Sequence, residues 1–155
     1  MKKAAPKLPL TLEERQLLRR EGRTIHEIAG MSPQELSIML QVPEERARQL
    51  RGLAEFQAVP SIGPKVAQRV ADMGYHSLQD LAERSGPELI DEWERQCGYW
   101  EDPCLEDAYW CLAHHARHPG SERKWHDFTE ERKAYRARHG YPAERPTKAW
   151  HEMER

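Results

Sequence analysis

Apolar residues recur three and four positions apart along most of the chain, with charged residues between them. Runs of β-branched residues are few and sustained apolar–polar alternation is absent. That period is helical. After a Lys/Pro-rich start, Thr11 stands as an N-cap with Glu14 three residues on, a capping-box spacing, and Leu12, Leu17 and Leu18 form an apolar face that ends at Gly22. A short helix is predicted over 24–29. A third begins at Ser32 with Pro33 in its first turn, and a fourth covers "VPEERARQLRGLAEF". Beyond "VPSIG", Pro64 to Asp72 reads as a helix closed by Gly74, and Ser77 caps "LQDLAER". "GPELIDEWERQCG" ends at Gly98, and Pro103 opens the longest apolar helix, "PCLEDAYWCLAHHARH". "SERKWHDFTEERKAYRARHG" is strongly charged and helical in part, and from Tyr141 the Pro-rich end reads as a loose tail.

The pattern repeats. Residues 22–36 lie over 74–89, with Gly22 over Gly74, Ile25 over Leu78, Ile28 over Leu81, Ala29 over Ala82, Glu35 over Glu88 and Leu36 over Leu89. His76 is the one inserted residue, and "LTLEERQLLRREG" lies over "IGPKVAQRVADMG". Two copies of a helical unit too small to bury much alone are expected to pack together. The predicted organisation is a disordered stretch over 1–9, a tandem helical domain over 10–120 and a charged C-terminal extension over 121–155.

Composition narrows the possibilities. At 155 residues, with 38% apolar and 32% charged residues, the chain supports a modest core under a large wet surface. The formal charge of −2 announces no polyanion partner. Its distribution is uneven: residues 1–58 carry ten Lys/Arg against eight Asp/Glu, 59–95 four against seven, 96–120 one against four, and 121–155 nine against seven. Any polyanion is therefore met locally. No apolar run approaches the roughly 20 residues of a membrane span. "MKKAAPKLPL" opens like a signal sequence, but no apolar stretch follows it. With three cysteines, an odd number, the expected setting is reducing and cytoplasmic, without a disulfide framework.

The stretch "AVPSIGPKVAQRV" sets a small-residue turn between two helical patterns. Gly63 has access to φ > 0 and allows a close approach to the backbone. Pro64 suits a first helical position, so the amides after it point outward at the positive end of a helix dipole, where phosphate is welcome. Lys65 adds an ion pair, and Ile62 plugs inward. A left-handed conformation at Ser61 costs of order 1 kcal/mol. Such a turn reads no base edge, so binding is expected to be independent of sequence and sensitive to salt. The competing reading is a plain connection between helices whose glycine is only a cap. "IAGMSPQE" and "ERSGPEL" have related spacing but lack the lysine, and read as structural turns. Arg46, Arg48 and Arg51 broaden a positive face or form a solvated surface, and Arg46 and Arg69 are the candidates for additional DNA contacts.

"VPSIGPKVAQRV" resembles the helix-hairpin-helix motif, with Ser61 where the motif usually has its first glycine. From about 56 to 133 the chain resembles the bacterial "pathogenicity locus" helix-hairpin-helix family, some of it labelled mitomycin-resistance-like. "VPSIGPKVA", "SLQDL", "DPCLEDAYWCLAHHA" and "KWHDF" carry the resemblance. It implies an all-α, SAM-like tandem helix-hairpin-helix fold and a link to DNA. It also suggests a monovalent cation held by turn carbonyls. It names no reaction.

Cys104 and Cys111 are seven apart, about 10.5 Å along a helix, too far to share an ion or a disulfide. His115, four residues after Cys111, makes a possible metal pair with it. The alternative is that both thiols are small core residues. No compact ligand motif, P-loop or nucleophile elbow is present. Trp100, Trp110, Trp125, Tyr99 and Tyr109 read as a stacking surface for single strands or as packing for the C-terminal helices. The sequence thus points to a non-enzymatic protein that binds DNA phosphates through Ser61, Ile62, Gly63 and Lys65. The rivals are a SAM-like protein-interaction module and a thiol or metal role for Cys104, Cys111 and His115.

Overall fold

Local signals set the helix starts. Thr11 accepts a hydrogen bond from the Glu14 amide at 3.1 Å while Glu14 accepts from the Thr11 amide at 2.8 Å, and α1 runs from there over Leu12–Arg20. Ser32 caps α2 (Pro33–Leu40) by accepting from the Glu35 amide, and Ser85 exchanges reciprocal bonds with Glu88 at the start of α5 (Gly86–Cys97). The remaining helices are α3 (Glu44–Ala58), α4 (Pro64–Asp72), α6 (Pro103–Arg117) and α7 (Thr129–His139). This computed structural model describes residues 4–153. It is all-α: among the described residues the extended backbone pairs only at the isolated bridge between Trp100 and Ala149. None of the described helices is long and apolar enough to cross a membrane.

The predicted repeat reappears in the elements. Leu12–Arg20 corresponds to Pro64–Asp72, and the start of α2 at Pro33 to the start of α5 at Gly86, in the registers read from the sequence. Gly22 and Gly74, which follow the paired helices, both have positive φ. The third member of each set is a helix of 15 residues, α3 and α6. Two segments differ from expectation. Residues 25–30 form a 3-10 helix, and "LQDLAER" yields only a 3-10 turn over Gln79–Leu81. The amide just before that turn, at Leu78, donates to the Glu55 carboxylate.

The chain divides into two compact units, residues 1–78 and 79–155, a boundary inside the 10–120 span expected as one domain. In the first, α3 is the central post. Ala47, Leu50, Leu53, Ala54 and Phe56 are buried with Ile28, Leu36 and Leu40 on one side and Ala67 and Val70 of α4 on the other. Gly52 admits the backbone of His76 so closely that a Cβ would lie 2.6 Å from its carbonyl oxygen. The start of the chain is not loose over 4–9. Leu8 is buried, and Gln57 both accepts from the Lys7 amide and donates to the Lys7 carbonyl, each at 2.9 Å. Residues 1–3 lie outside the described residues.

In the second unit α5, α6 and α7 pack around Leu89, Ile90, Leu105, Ala108, Tyr109 and Leu112. The charged run after 121 turns two half-buried arginines towards acids of the second unit. Arg136 bridges Asp91 at 3.0 Å and Glu106 at 3.1 Å, and Arg132 meets Asp107 at 2.6 Å. Burial pushes the carboxyls of Asp91 and Glu106 above their ordinary range despite Arg136. The tail read as loose is also held. Arg145 pairs with buried Glu94 at 2.8 Å and lies over the Tyr141 ring, and the Trp100 and Trp150 amides bond to the carbonyls of Lys148 and Trp100. A guanidinium that satisfies a buried carboxylate removes a desolvation cost of several kcal/mol, which is why this polar segment is fixed.

Candidate nucleic-acid interface

The turn joining α3 to α4 is built inside the first unit. The Val59 amide donates to Phe56 and ends α3, then the Ile62 amide donates to Val59 at 3.1 Å and closes a four-residue turn. Pro60 occupies its second position and Ser61, at φ +70°, its third, the pattern of a type II turn. Val59 and Ile62 are 4% and 1% exposed, so two apolar plugs fix the turn from within. The left-handed residue is therefore Ser61, where the motif usually has its first glycine. The expectation of positive φ at Gly63 is corrected: Gly63 is extended, with φ −99° and ψ −178°. The reason is positional, since an N-cap takes β-region angles while its carbonyl starts the helix, and the Ala67 amide duly donates to the Gly63 carbonyl.

Gly63 offers no capping side chain, and Pro64 follows at the first helical position. The amides of Gly63, Lys65 and Val66 consequently have no acceptor among the described residues. A Cβ added at Gly63 would meet nothing within 4 Å, so the N-cap itself faces open space. Lys65 is exposed, and the first turn of α4 carries no acid. Arg69, one turn further, is half-buried. Asp72 sits at the far end of α4, about 10 Å along the axis from Lys65, and accepts from Gln68.

The other cations expected near the turn are engaged elsewhere. Arg46 donates to both carboxylate oxygens of Glu14, at 2.9 and 3.2 Å, and to the Pro9 carbonyl. That pairing, with the Thr11 amide, holds the buried Glu14 carboxyl below its ordinary value of 4.5 against the opposing effect of burial. Arg48 pairs with Glu45, and Arg51 with Glu55 and the Met31 carbonyl. The positive face of α3 is thus largely neutralised within the chain.

Cys104 and Cys111 do not share an environment: Cys111 is fully buried and Cys104 is exposed near the start of α6. Cys111 and His115 are brought together on one backbone oxygen, the Arg123 carbonyl, at 3.6 and 2.8 Å. Burial raises the thiol pKa values of Cys97 and Cys104, which keeps both protonated and weakly nucleophilic near neutrality. Burial and the charges of His118, Arg123 and His115 lower the pKa of His114. Among the described residues, no three His, Cys, Asp or Glu side chains converge as metal ligands. Of the aromatic residues, Tyr109 is fully buried, and Trp110 donates to Glu106 inside the α5–α6 packing.

These features define an all-α protein whose helical hairpin presents open amides beside a lysine. The chain belongs to the Cdd1 family, described as pathogenicity locus, whose sequence model matches residues 49–134. The matched stretch contains most of α3, the whole turn and α4, and it runs on through α5 and α6 into α7. No curated protein and no solved structure matches the chain.

Proposed function

We propose that the protein binds DNA without sequence preference, by seating a backbone phosphate on the Ser61–Lys65 turn, in a non-enzymatic role in DNA repair or maintenance. The observation that carries this reading is the group of amides at Gly63, Lys65 and Val66 without an acceptor among the described residues, with open space at Gly63, exposed Lys65 beside them and no acid in the first turn. A helix N-terminus concentrates about half a positive charge there, and amides aimed outward give phosphate oxygens directional partners. Ser61 adds support. It carries the left-handed conformation that the resembled motif fills with glycine, and it turns the chain so that Ile62 faces inward and Gly63 outward. A monovalent cation held by the turn carbonyls and a cytoplasmic setting are parts of the same reading.

The test is duplex affinity as a function of salt for the full chain and for Gly63→Ala/Lys65→Glu. The alanine methyl enters empty space within the chain, so the variant keeps its fold, checked by circular dichroism. Wild type is expected to bind at low salt and to weaken steeply as salt rises, while the variant loses binding. Equal affinity of the two proteins overturns the role of the turn. Absence of wild-type binding at low salt favours the protein-interaction module instead.

A further inference from the structure

The first helix carries cations without a partner among the described residues. Arg15 and Arg19, exposed and four residues apart on α1, form one column on its surface, and Arg23 follows beyond the end of the helix, past Gly22. Arg23 is fixed by Glu27 at 2.7 Å and Glu35 at 3.6 Å. Arg15 and Arg19 have no hydrogen-bond or ion-pair partner among the described residues, in contrast to Arg46, Arg48 and Arg51 on α3. Like charges at this spacing oppose helix formation by a few tenths of a kcal/mol per pair. The helix dipole offsets this only in the last turn, where Arg19 stands; Arg15 lies a turn earlier.

The column also borders a cleft of about 220 Å³, lined by Arg15, Arg19 and Arg23 with Leu18, Thr24 and Ile25. Leu18 is buried, giving an apolar floor beneath cationic walls, and the Glu27 carboxylate is already committed to Arg23 and the Thr24 amide. Guanidinium forks match phosphate oxygens, and an apolar floor suits the sugar face of a strand. We propose that the Arg15–Arg19 column is a second phosphodiester-binding surface of unit 1. This rests on the DNA reading above, and α1 lies outside the family-matched residues 49–134, so the surface belongs to this chain beyond the family pattern.

The test compares three full-length proteins on a short duplex of mixed sequence, between about 50 and 200 mM salt: wild type, Arg15→Gln/Arg19→Gln, and Gly63→Ala/Lys65→Glu. Glutamine is a good helix former and keeps α1 intact, verified by an unchanged melting curve. The column variant is expected to lower the slope of log affinity against log salt by roughly 1.8 in magnitude, or about 0.9 for each lost phosphate contact. Over that fourfold salt range, its affinity then falls roughly tenfold less than that of wild type. An unchanged slope and affinity in the column variant, with binding lost in the turn variant, overturns the column and leaves the turn standing. A shallower slope in the column variant with an unaffected turn variant supports the column and overturns the turn. A wild type that does not bind at low salt overturns both.

Discussion

Ser61 shows how one residue can satisfy a turn and oppose it. A non-glycine side chain at φ +70° costs roughly 1–2 kcal/mol, and the hydroxyl answers by donating to the Pro60 carbonyl. Replacing it with glycine removes the strain but gives the unfolded chain more freedom. Ser61→Gly is therefore expected to stabilise the first unit by about 0.5–1 kcal/mol, read as a higher urea midpoint. A lower midpoint would mean that the Pro60 contact outweighs the strain. Sequence alone showed that the Ser61 position differs from the glycine usual there. It did not show that the serine would keep glycine's angles, because φ is imposed by the flanking plugs Val59 and Ile62. Gly63 misled for the complementary reason: glycine permits positive φ without requiring it.

At the scale of elements, whatever depends on neighbours within a turn was legible. The caps at Thr11 and Ser32 and the register of α1 with α4 follow from residues three or four apart. Pairs distant in sequence were not legible, since Arg46 or Arg136 reads the same whether solvated or aimed at a buried acid. Glu14 illustrates both, capping α1 locally and clamping it to α3 through Arg46. Its folded pKa lies below the ordinary 4.5, so the unfolded state binds more protons in that range. The stabilisation it supplies is present above about pH 5 and is lost as pH falls through the folded value. The melting-temperature gap between wild type and Glu14→Gln should be widest near pH 7 and close towards pH 3. A gap constant with pH would contradict the clamp.

At the scale of the whole molecule, a net charge of −2 gives no hint of a polyanion partner, but that figure does not show which charges are paired inside the chain. Many of the acids are paired with arginines, as in the Arg136 and Arg145 pairs of the second unit, while Lys65, Arg15 and Arg19 are exposed without an acid partner among the described residues. The tail was unreadable for the same reason: its Pro-rich, charged composition resembles a disordered end, yet Arg145 and the Trp150 amide have partners far back in the chain. The most direct check on the central claim is to follow the backbone amide resonances of the full protein while a short duplex is added at low salt. The account predicts that the Gly63, Lys65 and Val66 amides shift early and saturably, and return as salt is raised. Binding that leaves those three resonances in place while others move would contradict it.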